Sequence, residues 1–362
     1  MKKALIYDLL KLSITNRLDD CNSFAYFDEE DWKYAFSILS MHGVAPLACE
    51  GINRLPAELR PPKDVLLKFV SVRMSVNQSY LKLTDLVDKI GELITKSEVK
   101  CLLLKGLSLA DYYPSPELRK FVDIDLYAPG AAVRLDNAFV EKGVKVDTDF
   151  YRHSHMKLSG VLVENHHCLL DLRGRREMAV LDDDLKEMAI SHLSSFKEPG
   201  LYYPNALFSL IFNLHHAMSH FIYEGISLKF LVDWIFFLRK GIEHLTTDQI
   251  SASLQKHGLL KFAAVMSEVS VKHLGLNMDE VPECIRQEMV NLKSSVVDRF
   301  IDDLFRPYEK VHQRNLFVER LHNVRRIVRA AWKPKEFLGQ SAIGFVWDKF
   351  VPILLGQKFE AD

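Results

Sequence analysis

Asp123 and Asp125, in the run FVDIDLYAP, are the residues whose type and spacing most readily do chemistry. They alternate with Val122, Ile124 and Leu126, the period of a β-strand, so both carboxylates project from one strand face. Two like charges that close raise each other's pKa unless something positive lies between them. A divalent cation, which takes oxygen ligands from rigid elements, would serve. An acidic pair on a solvated strand face is the plainer alternative.

A third carboxylate separates these readings, because two-metal phosphoryl transfer draws carboxylates from separate strands. The run VLVENHHCLLD offers Glu164 and Asp171. Glu164 shares a strand face with Leu162 and His166, whereas Asp171 stands beside Arg173, where a surface ion pair accounts for it. The logic of the site favours Glu164. Upstream, KCLLLKG ends in Gly106 just before a short helical stretch. A glycine there lets backbone N–H groups approach phosphate oxygens, and Lys105 and Arg119 add positive charge. Taken singly, Gly106 is a turn glycine and Lys105 a solvated strand end; their arrangement around the acidic strand is what argues for function.

His216 and His220, four apart on one helical face with Asp233 farther along, could form a metal site of the helical hydrolase kind. No His-Glu-x-x-His motif accompanies them, and paired histidines on an apolar helix are more often buried and hydrogen-bonded. His166 shares the Glu164 face and could contact phosphate or acceptor, while His153 and His155 on the neighbouring run have no assigned role.

The elements that must position these residues follow from periodicity. DEEDWKYAFSILSMHG and the proline-free segment 64–98 have helical spacing. From 99 the pattern shortens: VKCLLLKG and FVDIDLYAP are strands, AAVRLDNAFVEKG is a helix stopped at Gly143, and HMKLSGVLVENHH is a hairpin turning at Ser159 and Gly160. After about 190, helices return, beginning with the hairpin candidate 204–241. The expected fold class is α+β: a small mixed β-sheet core at 99–190 between helical regions at 1–98 and 191–362.

In this order the motifs resemble the DNA polymerase β-type nucleotidyltransferase superfamily, and more closely its bacterial family of uncharacterised nucleotidyltransferases. The resemblance rests on LLLKG, Arg119, DIDLY and VENHH and extends over roughly residues 30 to 240, including HGVAPL and the helix HHAMSHFIYEGISLKFLVDWIFF. It implies a nucleotidyltransferase core in which Asp123 and Asp125 bind two Mg²⁺ ions, with Mn²⁺ as a substitute, and Glu164 completes the site. It also implies NTP as one substrate and an acceptor pocket shaped by His166, His216, His220 and Asp233. The Gly-Ser motif that cups the triphosphate in many superfamily members is replaced here by Lys105-Gly106, with Ser108 two positions on. A catalytically silent relative and a phosphohydrolase centred on His216, His220 and Asp233 are the competing functions. The acceptor, whether small molecule, sugar, protein or tRNA, has no readable code.

Composition narrows the classes. With 47 basic and 48 acidic residues the formal net charge is -1, which gives no global pull toward nucleic acid or an anionic membrane. The five cysteines are scattered without Cys-x-x-Cys spacing, as in a reduced cytoplasmic protein. Asp8 and Lys11 interrupt the apolar N-terminus, and no apolar run is long enough to span a bilayer. The basic stretch 312–335, with Arg314, Arg320, Arg325, Arg326, Arg329, Lys333 and Lys335, lacks interleaved aromatics and reads as a solvated face; Phe345, Trp347 and Phe350 read as a closing core.

Overall fold

A computed structural model describes residues 2–15, 17, 21–171, 176–191, 194–195, 200–306, 328–341 and 343–344. Four helices come first: α1 (Lys2–Thr15), α2 (Glu29–Met41), α3 (Ala45–Arg54) and α4 (Lys63–Lys96). Asp28 caps α2 by accepting the backbone N–H of Asp31 at 2.8 Å, and Gly43, at φ 72°, takes the left-handed turn beyond its end.

The sheet follows, with β1 (Cys101–Leu104), the short helix α5 (Gly106–Ala110), β2 (Asp123–Tyr127), α6 (Ala132–Glu141), β3 (Val146–Asp147), β4 (His153–Leu158) and β5 (Val161–His166). Helix α7 (Arg176–Ser191) leads to β6 (Ser194–Ser195) and β7 (Leu201–Tyr203). Among the described residues the strand order is β3-β4-β5-β2-β1-β7-β6. The sheet is mixed: β2 runs parallel to β5 and antiparallel to β1, which in turn is parallel to β7. The last two strands lie beyond residue 190, in the stretch the sequence assigned to helices; β6 and β7 are only two and three residues long, too short to show strand periodicity. The β4–β5 hairpin turns at Ser159 and Gly160, both at positive φ (50° and 84°), the two-residue turn whose twist suits a hairpin.

The C-terminal helices are α8 (Ala206–Tyr223), α9 (Leu228–Phe236), α10 (Thr247–Lys256), α11 (Leu260–Leu274), α12 (Glu283–Val290), α13 (Ser294–Leu304) and α14 (Trp332–Phe337). Asn205 caps α8, and α9 runs into a π-helical turn at Phe237–Gly241. Among the described residues no helix is long and apolar enough to cross a membrane.

Strand alternation divides the sheet between two cores. Leu103, Ile124, Leu126, Met156 and Val163 point to one face, under the C-terminal half of α4 and α6. Leu102, Leu104 and Tyr127 point to the other and join the larger core, which also takes in α1–α3 and the C-terminal helices. Asp123, Asp125 and Glu164 share the parity of this second face, so they look toward α8 and α9 across a cleft.

Of the basic stretch, Arg314, Arg320, Arg325 and Arg326 lie outside the described residues, as do Phe345, Trp347 and Phe350. Lys333 corrects the expectation of a solvated face. It is buried, donating to the Phe221 carbonyl at 2.6 Å and to Asp303 at 2.7 Å, which together offset its desolvation.

Candidate active site

Register assembles the site. On β2 and β5, Asp125 lies opposite Glu164; on β4 and β5, His155 lies opposite Glu164 and His153 opposite His166. Directly opposed residues project to the same side, so three neighbouring strands present a carboxylate–imidazole patch. Glu164, not Asp171, therefore stands beside Asp125; Asp171 is exposed beyond the end of β5. Asp123 is one pleat away, opposite Leu162.

Asp125 is 2% exposed and holds two partners: Lys105 Nζ at 2.9 Å and His166 Nε2 at 2.9 Å. Burial pushes its carboxyl up, but Lys105 and His166 outweigh that and hold it well below the usual carboxylate range. An ionised carboxylate only accepts, so His166 carries its proton on Nε2. Burial and the Asp125 charge push Asp123 up, and the same two causes raise Glu164 to about 7. The patch thus contains one firmly ionised carboxylate and one that exchanges its proton near neutrality.

Lys105 reaches Asp125 through an unusual backbone. Its φ is 42°, a left-handed value that costs a side-chain-bearing residue about 1–3 kcal/mol. The sequence placed the backbone freedom on Gly106; the structure places the left-handed φ on Lys105, and a Cβ at Gly106 would meet nothing nearer than the Asp123 carbonyl at 3.8 Å. Ser108 turns inward, its hydroxyl donating to the Lys105 carbonyl at 2.7 Å, and so braces that turn. Helix α5 spans only five residues, which leaves little dipole to aim at an anion.

The patch forms one wall of a cleft of about 640 Å³, and α8 and α9 supply the other. Here Arg119 and Asp233 make a two-pronged ion pair, Nε–Oδ1 at 2.8 Å and Nη2–Oδ2 at 2.9 Å, with the Tyr113 hydroxyl donating to Oδ1 at 2.7 Å. Arg119 was expected to meet phosphate; its fork is matched instead by a carboxylate 114 residues away. His216 and His220 line the cleft with ring centroids 4.4 Å apart, and His220 Nδ1 lies 2.9 Å from Glu224. Burial lowers His216 well below the ordinary imidazole value. Asp233 is committed to Arg119 and Tyr113, so His216, His220 and Asp233 form no metal cluster among the described residues.

Two residues escaped the sequence reading. Lys229 on α9 lines the cleft, its ammonium lowered to about 8 by burial and by the Arg119 charge. Its signal was available: in ISLKFLVDWIFFL, Lys229 and Asp233 are the only charges and stand four apart on one helical face. Arg152, just before β4, also lines the cleft.

Among the described residues, two groups of three side chains bring ligand atoms within 4.8 Å of one another: Asp125, Glu164 and His166, and His153, His155 and Glu164. The donors fit a divalent cation. His166 Nδ1 and His153 Nδ1 are also buried without a hydrogen-bond partner among the described residues, so the patch is a polar network whose own contacts leave ring nitrogens over.

A mixed sheet carrying Asp-x-Asp on one strand and a carboxylate opposite it on the next is the arrangement that the resemblance to nucleotidyltransferases implies. The chain belongs to a family described as uncharacterised nucleotidyltransferase, whose model matches residues 28–275. No curated protein and no solved structure matches it.

Proposed function

We propose that the protein is a Mg²⁺-dependent nucleotidyltransferase, moving a nucleoside monophosphate from an NTP to an acceptor hydroxyl with release of pyrophosphate. The observation that carries this reading is the pairing of Asp125 with Glu164 across β2 and β5, with Asp123 on the same strand face. When bound, Mg²⁺ neutralises the triphosphate and orients the attacked phosphorus. Asp123, Asp125 and Glu164 would hold it, with Mn²⁺ as a substitute.

This chain's other groups have separable tasks. Lys105 holds Asp125 ionised and, with Lys229 across the cleft, offers positive charge to the phosphates. Glu164, at about 7, orients the acceptor hydroxyl and takes its proton. His166 keeps the Asp125 carboxylate in place, and His216 and His220 shape the acceptor side. Arg119, held by Asp233, fixes the approach to β2 rather than touching phosphate.

A second reading has one observation in its favour. Lys105 already lies 2.9 Å from Asp125, and an internal cation at that carboxylate is what a catalytically silent, nucleotide-binding relative would use. Incubation of cell extract with each α-labelled NTP, Mg²⁺ and purified protein distinguishes the two. Transfer of label to an extract component, abolished in the Asp123→Asn/Asp125→Asn double variant, is the expected outcome. Nucleotide binding without transfer by any NTP selects the silent relative, and transfer retained in the double variant refutes the assignment.

A further inference from the structure

The second ligand group differs in chemistry from the first. His153 and His155 stand two apart on β4, so their imidazoles project from the same strand face, with ring centroids 4.5 Å apart. Both direct Nε2 at the same oxygen: Glu164 Oε1 lies 3.9 Å from His153 and 3.3 Å from His155. The other oxygen of that carboxylate, Oε2, faces His166 at 3.7 Å. Glu164 therefore presents one oxygen to each group.

These separations have a direct metal-site interpretation. Ligands about 2.1 Å from a tetrahedral cation lie about 3.4 Å from one another, so His155 and Glu164 already span one edge and His153 needs only a small shift. Two imidazole nitrogens and one carboxylate are a poor set for Mg²⁺, which demands oxygen and keeps its waters. They suit borderline divalent ions such as Zn²⁺, Mn²⁺, Fe²⁺ or Co²⁺. The face is rigid, since β4 and β5 pair along six consecutive positions and Phe150 packs its ring 4.0 Å from His155.

We propose that His153, His155 and Glu164 form a transition-metal site, separate in its preference from the oxygen-rich Asp123/Asp125 site and linked to it by the two oxygens of Glu164. Glu164 is the only residue it shares with the nucleotidyl-transfer reading, and no turnover is needed to test it. With three protein ligands a fourth position stays open toward the cleft, where a phosphate oxygen or an acceptor hydroxyl can enter.

Co²⁺ is the probe, because nitrogen-ligated, low-coordinate Co²⁺ absorbs strongly in the visible. Titration of the metal-free full-length protein, without nucleotide, should give one equivalent of visible absorption that a hundredfold excess of Mg²⁺ does not remove. His153→Ala and His155→Ala should each weaken Co²⁺ binding at least tenfold, and Asp123→Asn should leave it within about twofold. Displacement of Co²⁺ by Mg²⁺ in the wild type would overturn the proposal, as would absence of the bands. These two readouts stand even where a histidine variant does not fold. Folded histidine variants that bind Co²⁺ as the wild type does would overturn it as well. Absence of NTP transfer by the wild type, with its Co²⁺ binding as expected, would fault only the nucleotidyl-transfer reading.

Discussion

The two walls of the cleft are both rich in charge, yet they handle it in opposite ways. On the helix-facing wall Arg119 meets Asp233 through two hydrogen bonds with Tyr113 added, so donors and acceptors are matched within the protein. On the strand wall Asp123, Asp125 and Glu164 crowd one face: Lys105 is paired with Asp125, while burial and the Asp125 charge raise Glu164 to about 7. A balanced buried pair is structure; a surplus of buried carboxylate held on paired strands is a place for a cation. The difference teaches that charge in a cleft signals chemistry only when the protein has left it uncompensated.

Breaking the strand wall should have the largest effect. Asp125→Asn is expected to lower nucleotidyl transfer at least about 1000-fold, about 4 kcal/mol of transition-state stabilisation, in steady-state assays on folded protein. A comparable loss from replacing the Arg119–Asp233 pair in a variant that keeps its stability would erase the distinction between the walls.

Breaking the helix wall should instead cost stability. Arg119→Met strands Asp233 in the interior and is expected to destabilise by about 3–5 kcal/mol in denaturant unfolding. Adding Asp233→Leu should recover much of that, because replacing both partners removes the uncompensated charge. A double variant as unstable as the single one would show that the pair does more than hold the fold.

The smallest effect is a pH dependence that sharpens the comparison. Glu164 is raised from its ordinary 4.5 to about 7, so the folded chain keeps a proton that the unfolded chain releases between those values. Its contribution to metal-free stability is therefore present at low pH and lost as pH rises through about 7. Mg²⁺ must displace that proton, so its stabilising thermal shift should grow from pH 6 to pH 8 and then level off. A shift independent of pH, or one unchanged in Glu164→Gln, would remove Glu164 from the cation site.

Much of the strand wall was legible because its signals are local. Alternation around Asp123 and Asp125, the Ser159–Gly160 turn and the placement of Glu164 on the returning strand all follow from neighbours within a few residues. The helix wall was not, since Arg119 finds Asp233 across 114 residues and no spacing rule links them. His153 and His155 could be placed on a strand but not assigned, because only the β4–β5 register puts them against His166 and Glu164. The strained turn fell on Lys105 rather than Gly106, since what it serves is the reach of one ammonium to Asp125, a contact between strands that alternation cannot reveal.

Calorimetric titration of Mg²⁺-NTP into the wild type and Asp125→Asn, each with a matched metal-free titration, tests the central claim most directly. The strand-wall account predicts Mg²⁺-dependent nucleotide binding in the wild type that disappears in Asp125→Asn while its melting transition persists. Equal Mg²⁺-dependent binding by the two proteins would contradict it.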